Sequence, residues 1–382
     1  MLCVAGRVTL RRTWWHSTTG SAAPLDAWIM RDGSTVTVGV REMACRLNND
    51  AASFKKAADN LLRTAQLEMS AETLRLVVEE EGRRVIAAQQ AGAIPTAFTA
   101  RDCTVPDQPD QTRMYAGVDG VMVALVTETE QKKRREKRVE KRRVLAAKGR
   151  KLQPLAPRKP GSDLPYKEFK TVTFYDQDNA HRHIVLARTK RTSVGAVLKR
   201  EAARLKFQDA GERVGLVDGA SWIPPQFEAA ELKLDGLGLD FYHLSANVHR
   251  CRRIVFGEKS AEGTSWAESL LHTLKHDGYE LAREQLLSWR TNLRGKKRTA
   301  ADRLINYVVE RRDMISYPEF VKQGWDIGSG PTEARCKTST SRLKRSGQRW
   351  SGPRAEAIAA LTNLRDSDQW SKYWINLTPT KT

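Results

Sequence analysis

The sequence predicts an α/β chain: a mixed sheet flanked by helices, interrupted by an all-helical insertion and preceded by an N-terminal helical domain. Three observations carry this expectation. Short apolar, β-rich runs recur through the middle of the chain, helical patterns separate the later ones, and residues 261–315 read as helix throughout.

Residues 1–35 are mixed, with paired Trp14 and Trp15 and a Gly/Ser/Thr patch. From Val38 to about Gly92, Met43, Leu47, Phe54, Ala58, Leu61 and Leu62 recur near helical spacing, and Ser70 is placed to cap "AETLRLVVEEEGRRV". Two readings of residues 36–92 stand: a helix-turn-helix DNA-binding region, or a small helical bundle. Against the first, Glu72 and the run Glu79, Glu80 and Glu81 would face phosphates badly. Residues 93–112, with Pro95, Pro106 and Pro109, read as a linker.

"MYAGVDGVMVALVTE" then has the apolar continuity of a buried strand. Residues 131–160 hold fourteen Lys or Arg against Glu136 and Glu140, first as a charged helix to about Ala147 and then as a flexible loop. "FKTVTFYD" and "HRHIVLART" form a hairpin across "QDNA". A helix over 193–207 leads to the strand "RVGLVDGASWI", a Pro-opened helix "PPQFEAAELK", and "GLDFYHLSANVHRCRRIVFG", which runs from strand into helix. The helical block follows, with Trp266 and Trp289 on apolar faces, then "DIGSGPTEARCKTSTSRLKRSGQRW", a helix from Pro353 to Leu364, and a tail with Trp370 and Trp374.

Three antiparallel strands extended by parallel strands through helical crossovers describe a ribonuclease H-like sheet. The expected divisions are an N-terminal element (1–35), a helical region (36–92), a linker (93–112) and a catalytic core (113–260) carrying a basic insertion (131–165). The helical insertion (261–315) and a closing helical segment (316–382) complete the chain.

Of 382 residues, 65 are Lys or Arg and 45 Asp or Glu, a net charge of +20 that makes nucleic acid the first partner to consider. Residues 131–160 carry +12 of it, which favours a phosphate-contacting arm led by Lys132, Lys133, Arg134 and Arg135 over a merely solvated insertion. No apolar run reaches the about 18 residues a membrane span needs. No secretory leader precedes the first arginines, and five scattered cysteines without CxxC spacing fit a reducing cytosol.

The tripeptide Val-Asp-Gly occurs twice, at Asp119 and at Asp218. Asp-Gly between apolar runs is a hairpin signal. The alternative is a single carboxylate on each of two buried strands, tolerable as a pair only where a divalent cation such as Mg²⁺ binds. Glu333 is the candidate third ligand. It also suits a helix start, with Gly330 as N-cap and Pro331 as first helical residue, where a carboxylate favours the dipole.

On these residues, Asp119 in "GVDGVMV", Asp218 in "LVDGASWI" and Glu333 in "GSGPTEARCK", followed by "RLKRSGQRWS", the chain resembles the DDE transposases of bacterial insertion sequences, specifically the ISKra group. The similarity runs from "PLDAW" at Pro24 through Trp370. It implies an RNase H-like catalytic domain, two divalent metals (Mg²⁺ or Mn²⁺) held by Asp119, Asp218 and Glu333, and cutting and joining of double-stranded DNA at transposon ends. It also implies a homodimer or larger assembly on DNA in the cytoplasm, at the nucleoid. Lys337 and Lys344, read as sharing a helix face with Glu333, and Arg345 and Arg349 would hold DNA phosphate. Asp240 and His243 match a D-x-x-H motif that related families place before a helical insertion. His243 would position phosphate or an acid, or else is a core histidine bridging strand and helix. A zinc site from His243, His249 and Cys251 lacks a fourth ligand. The sequence departs from the group at its N-terminus, where His16 and Thr19 stand in place of expected cysteines; this makes the element a degenerate one. Two alternatives remain: a nuclease of the same fold that cuts without joining, and a catalytically inactive DNA-binding derivative.

Overall fold

The computed structural model describes residues 1–11, 13–23, 34–106 and 108–377. "PLDAW" lies outside them. The central sheet is built from β1 (Gln108–Ala124), β2 (Tyr166–Tyr175), β3 (Arg182–Ala187), β4 (Glu212–Val217) and β5 (Gly236–Leu239). Its order is β5-β4-β1-β2-β3, with the short strand Thr104–Val105 paired to the start of β1. β1, β2 and β3 are antiparallel neighbours, while β4 and β5 run parallel to β1. The result is a mixed sheet flanked by helices, an order compatible with the ribonuclease H-like arrangement expected.

Neither Val-Asp-Gly copy turns a hairpin. Val118, Asp119 and Gly120 pair directly with Val172, Thr171 and Lys170 on β2, so the chain stays extended through the first copy. At the second, β4 ends at Val217 and Gly219 takes φ of +82°, a left-handed conformation suited to glycine, which lifts the chain off the sheet. The 93–112 segment is not a free linker. Gln108 to Thr112 belong to β1, and Phe98, Ala100 and Cys103 are buried, since their apolar side chains complete the core under the sheet.

Helices α1 (Val38–Asp50), α2 (Phe54–Ala65) and α3 (Ala71–Gln90) follow the predicted helical span, with Ser53 and Ser70 accepting hydrogen bonds from Lys56 and Thr73 N–H as N-caps. They share one apolar core with the C-terminal helices and with Val121, Val123 and Phe169 of the sheet. Glu79 and Glu81 of α3 are buried and turned inward: Glu79 pairs with Arg75 and Arg354, and Glu81 with Arg41 and the Tyr373 hydroxyl. Two of the four acids that would repel DNA therefore serve internal contacts, while Glu72 and Glu80 stay exposed.

After β1, α4 (Glu128–Ala147) projects with no buried side chain, as so charged a sequence requires. α5 (Val194–Leu205), α6 (Pro224–Ala229) and α7 (Phe241–Phe256) cover the sheet face bearing Val118 and Val217. The stretch expected to be an insertion forms α8 (Ala261–His276), α9 (Tyr279–Thr291) and α10 (Gly295–Val309). The Trp266 and Trp289 rings meet there at 4.3 Å. α11 (Tyr317–Lys322), α12 (Gly330–Thr340), α13 (Gly352–Asp366) and α14 (Trp370–Leu377) end the chain. Among the described residues no helix is long and apolar enough to cross a membrane, and all five cysteines are free.

Candidate active site

Three carboxylates each follow a paired residue on neighbouring strands, a set called the carboxylate row below. Val118 pairs with Val217 on β4, and Val217 with Leu239 on β5; Asp119, Asp218 and Asp240 are the next residue of each. In a sheet, neighbouring strands are about 4.8 Å apart and paired positions share a face. This brings Asp218 and Asp240, at the ends of β4 and β5, to the neighbourhood of Asp119, midway along β1. That Asp240 belongs to the row was visible in the sequence only as half of a D-x-x-H motif.

α12 docks over this row through two small contacts. Gly117 sits beneath Thr332, whose hydroxyl lies 2.8 Å from that of Thr173; any Cβ at Gly117 would overlap the Thr332 hydroxyl. Glycine here permits close approach of a helix to a strand. Ser329, not Gly330, is the N-cap, so Gly330 and Pro331 fill the first two helical positions and Glu333 N–H bonds to the Ser329 carbonyl at 3.1 Å. The shift of one residue still leaves Glu333 in the first turn, aimed at the row. The helix ends at Thr340, so Lys344 does not share its face with Glu333 and Lys337 as expected; it lies on the turn beyond, close enough to act electrostatically on Cys336.

Asp240 is 1% exposed. It caps α7 by accepting from His243 N–H at 2.8 Å, and its second oxygen accepts from the Ser329 N–H and hydroxyl. Burial alone would raise its pKa, but the contacts from His243 and Ser329 win and bring it down to about 2. His243 lies between acids, its Nδ1 3.5 Å from Asp240 Oδ1 and 3.4 Å from Glu333 Oε1, with a well-formed hydrogen bond to neither. Contact with Asp240, opposed by burial and helped by the charges of Glu333 and Asp218, raises its pKa. His243 is thus at the site and half-exposed, not a core histidine.

Asp119 is half-buried, and burial pushes its pKa up; the Cys336 thiol bonded to it opposes this, and the nearby Asp218 charge adds to it. Asp218 accepts from Ala220 N–H at 2.9 Å, holding the turn after β4. The Asp240, His243 and Glu333 ligand atoms lie within 4.8 Å of one another. The donor set, carboxylate oxygens with one imidazole nitrogen lacking a firm partner, fits a hard divalent cation such as Mg²⁺ or Mn²⁺. Of the expected ligands Asp119, Asp218 and Glu333, only Glu333 belongs to this group, and His249 and Cys251 take no part in it.

Lys337, Lys344, Arg345 and Arg349 are exposed, as are Lys132, Lys133 and Arg134, with Arg135 half-buried. Arg349 and Arg134 both pair with Glu130, which joins α4 to the turn after α12. Sequence reasoning missed Lys170. This lysine is 2% exposed on β2 opposite Gly120, bonded to Glu168 and 4.8 Å from the Trp222 ring, and it feels the Asp119 charge. An isolated lysine in a strand gave no signal of that placement.

Comparison with known proteins finds no protein-family model and no curated protein that matches. Among solved structures the chain is similar to the Drosophila P element transposase strand transfer complex, with 13% identity and a TM-score of 0.29 over 92% of this chain and 84% of that one.

Proposed function

We propose that the chain is a DDE transposase of the insertion-sequence kind, which cuts double-stranded DNA at element ends and joins the freed 3′-hydroxyl to target DNA. The observation that supports this reading is that Asp119 and Asp218 each follow a residue of the paired Val118 and Val217 on neighbouring strands, while Glu333 follows Thr332, which α12 seats on Gly117. Two like charges on adjacent strands raise each other's energy, and a third acid aimed at the same place makes sense when a cation shares it.

Asp119, Asp218 and Glu333 would hold divalent ions, whose chemistry when bound is to activate an oxygen nucleophile and stabilise the leaving oxygen at phosphorus. Asp240 positions two of the actors, since it fixes the first turn of α7 and the N-cap of α12 together. His243, whose pKa is raised chiefly by its contact with Asp240, would contact a phosphate oxygen at the same place. Lys337, one turn after Glu333, and Lys344, beyond the end of α12, would hold the phosphate backbone. In this reading the sheet with α12 is the ribonuclease H-like core, 261–315 its insertion, α4 a basic arm, and the active form a homodimer or larger assembly on DNA in the cytoplasm.

The test is an assay with labelled DNA ends and Mg²⁺ or Mn²⁺. Asp119→Asn, Asp218→Asn and Glu333→Gln are each expected to abolish cleavage and joining, as chelation does, while non-specific DNA binding persists. Undiminished cleavage by any of them removes that residue from the mechanism. Cleavage without joined products assigns a nuclease, and binding without cleavage by the unaltered chain assigns an inactive derivative.

A further inference from the structure

A second concentration of charge lies away from the carboxylate row. The Trp350 backbone bonds to β1 on both sides, N–H to the Ala124 carbonyl and carbonyl to the Val126 N–H. Seven residue steps separate Asp119 from Val126, at most about 23 Å at strand rise and about 20 Å where the strand twists. Beside Trp350, where α2, α3, α4 and the start of α13 meet, opens a cavity of about 350 Å³.

Six arginines line it, Arg75, Arg134, Arg138, Arg342, Arg349 and Arg354, against the single carboxylate of Glu79. Glu79 is shared by Arg75 at 2.8 Å and Arg354 at 3.1 Å, while Arg134 and Arg349 share Glu130. Among the described residues, neither Arg138 nor Arg342 has a carboxylate within ion-pair distance.

Arg342 is the telling one. It is 1% exposed and packs against the rings of Phe54 and Trp350, which meet edge to face. One guanidinium nitrogen donates to Gln348, and Nε has no partner. Burial, with Arg345 nearby, brings its pKa down to about 10. A buried charge without a counter-ion is costly, and evolution usually pairs it or removes it. A guanidinium left with free N–H donors at a cavity walled by five more arginines is instead arranged for an anion supplied from outside. Several forked donors around one cavity suit the tetrahedral, multiply charged phosphate group better than a single carboxylate. Gly352, at the first position of α13, adds the positive end of a fifteen-residue helix beside the cavity wall formed by Ser351 and Arg354.

We propose that this cavity is a phosphate-binding pocket and that it takes a backbone phosphate of DNA about six nucleotide steps from the bond held at the carboxylate row, at about 3.4 Å per step. The pocket stands on its own geometry; only the source of the phosphate rests on the function proposed above.

The experiment uses the full chain, thermal melting with inorganic phosphate, and titration of a non-specific duplex at several salt concentrations. Arg342→Met and Arg138→Ala are compared with the unaltered chain. Phosphate is expected to raise the melting temperature of the unaltered chain. Arg342→Met, freed of an uncompensated charge, melts no lower without phosphate, gains nothing from it, and binds duplex about tenfold more weakly, with a log–log salt slope smaller by about one. Arg138→Ala, on the exposed face of α4, shows the same losses at smaller size, and serves alone should Arg342→Met fail to fold. Unchanged phosphate protection and duplex binding in Arg138→Ala, or a sharply lower melting temperature for Arg342→Met with phosphate protection retained, overturns the proposal. Phosphate protection lost in the variants with duplex binding unchanged assigns the pocket to a free phosphate or nucleotide and overturns the DNA assignment. Loss of duplex binding in the variants of a chain that never cleaves DNA leaves the pocket standing and sinks only the catalytic reading.

Discussion

The Asp240 carboxylate accepts two hydrogen bonds from Ser329, one from its backbone N–H at 2.5 Å and one from its hydroxyl at 2.6 Å. Ser329 is the N-cap of α12 and Asp240 that of α7, so one buried acid fixes the starts of both helices that carry Glu333 and His243. Hydrogen bonds to a charged group are worth about 1.5–3 kcal/mol each, and a lost N-cap about 1. Asp240→Ala should therefore cost about 3 kcal/mol in urea denaturation and nearly all cleavage, and Ser329→Ala about 1.5. The two are expected to couple by more than about 0.5 kcal/mol in a double-mutant cycle; strict additivity would mean the contact does not set the position of α12.

Gly117 lies under Thr332 with no room for a methyl group. Gly117→Ala is expected to destabilise by about 2 kcal/mol, the usual cost of overpacking. Adding Thr332→Ala should restore part of that stability and part of the cleavage, because the clash is with the threonine hydroxyl. A double variant no better than Gly117→Ala would place the strain elsewhere.

Far from the site, Glu201 on α5 bonds to His183 on β3 at 2.9 Å and pairs with Arg200 and Arg204. Burial works to raise its pKa, but these partners outweigh it and hold it at about 2. A carboxyl whose folded pKa is depressed adds stability above its unfolded value near 4.5, and that stability is lost as pH falls towards 2. The difference is worth about 3 kcal/mol at neutral pH. Glu201→Gln should lose that amount at pH 7 and show a flatter stability profile between pH 4.5 and 2. Parallel profiles for the two proteins would exclude Glu201 as the titrating group.

The arm formed by α4 has no buried residue to hold it for packing reasons. Replacing Lys132, Lys133, Arg134 and Arg135 with Ala should leave the melting temperature within a degree or two. It should also lower the salt slope of duplex binding by up to about 0.9 for each phosphate contact removed. A slope unchanged by all four substitutions would make α4 a solvated extension.

The strands were legible from their apolar runs, and a lone carboxylate in each of two such runs is a conflict that singles out Asp119 and Asp218 as candidates. Glu333 was legible from helix-start chemistry, to within one residue. Asp240 in the carboxylate row was not, because register belongs to hydrogen bonding between strands and leaves no trace in either strand alone. Arg342 was hidden differently: within "RLKRSGQRW" it looks like any exposed base, and only the packing of Phe54 and Trp350 buries it. The inward turn of Glu79 and Glu81 was invisible for the same reason, since their partners Arg354 and Tyr373 come from the far end of the chain.

The stitching of Trp350 onto the end of β1 joins segments more than two hundred residues apart, as does the seating of Thr332 over Gly117. Such contacts close late, after the loop between them has been ordered. At ribosomal rates of about 5–20 residues per second, Asp119 and Asp218 are made many seconds before Glu333 emerges. A nascent or prematurely terminated chain carries two of the acids without the third, so under the proposed function cleavage would wait until the α12 segment has been made.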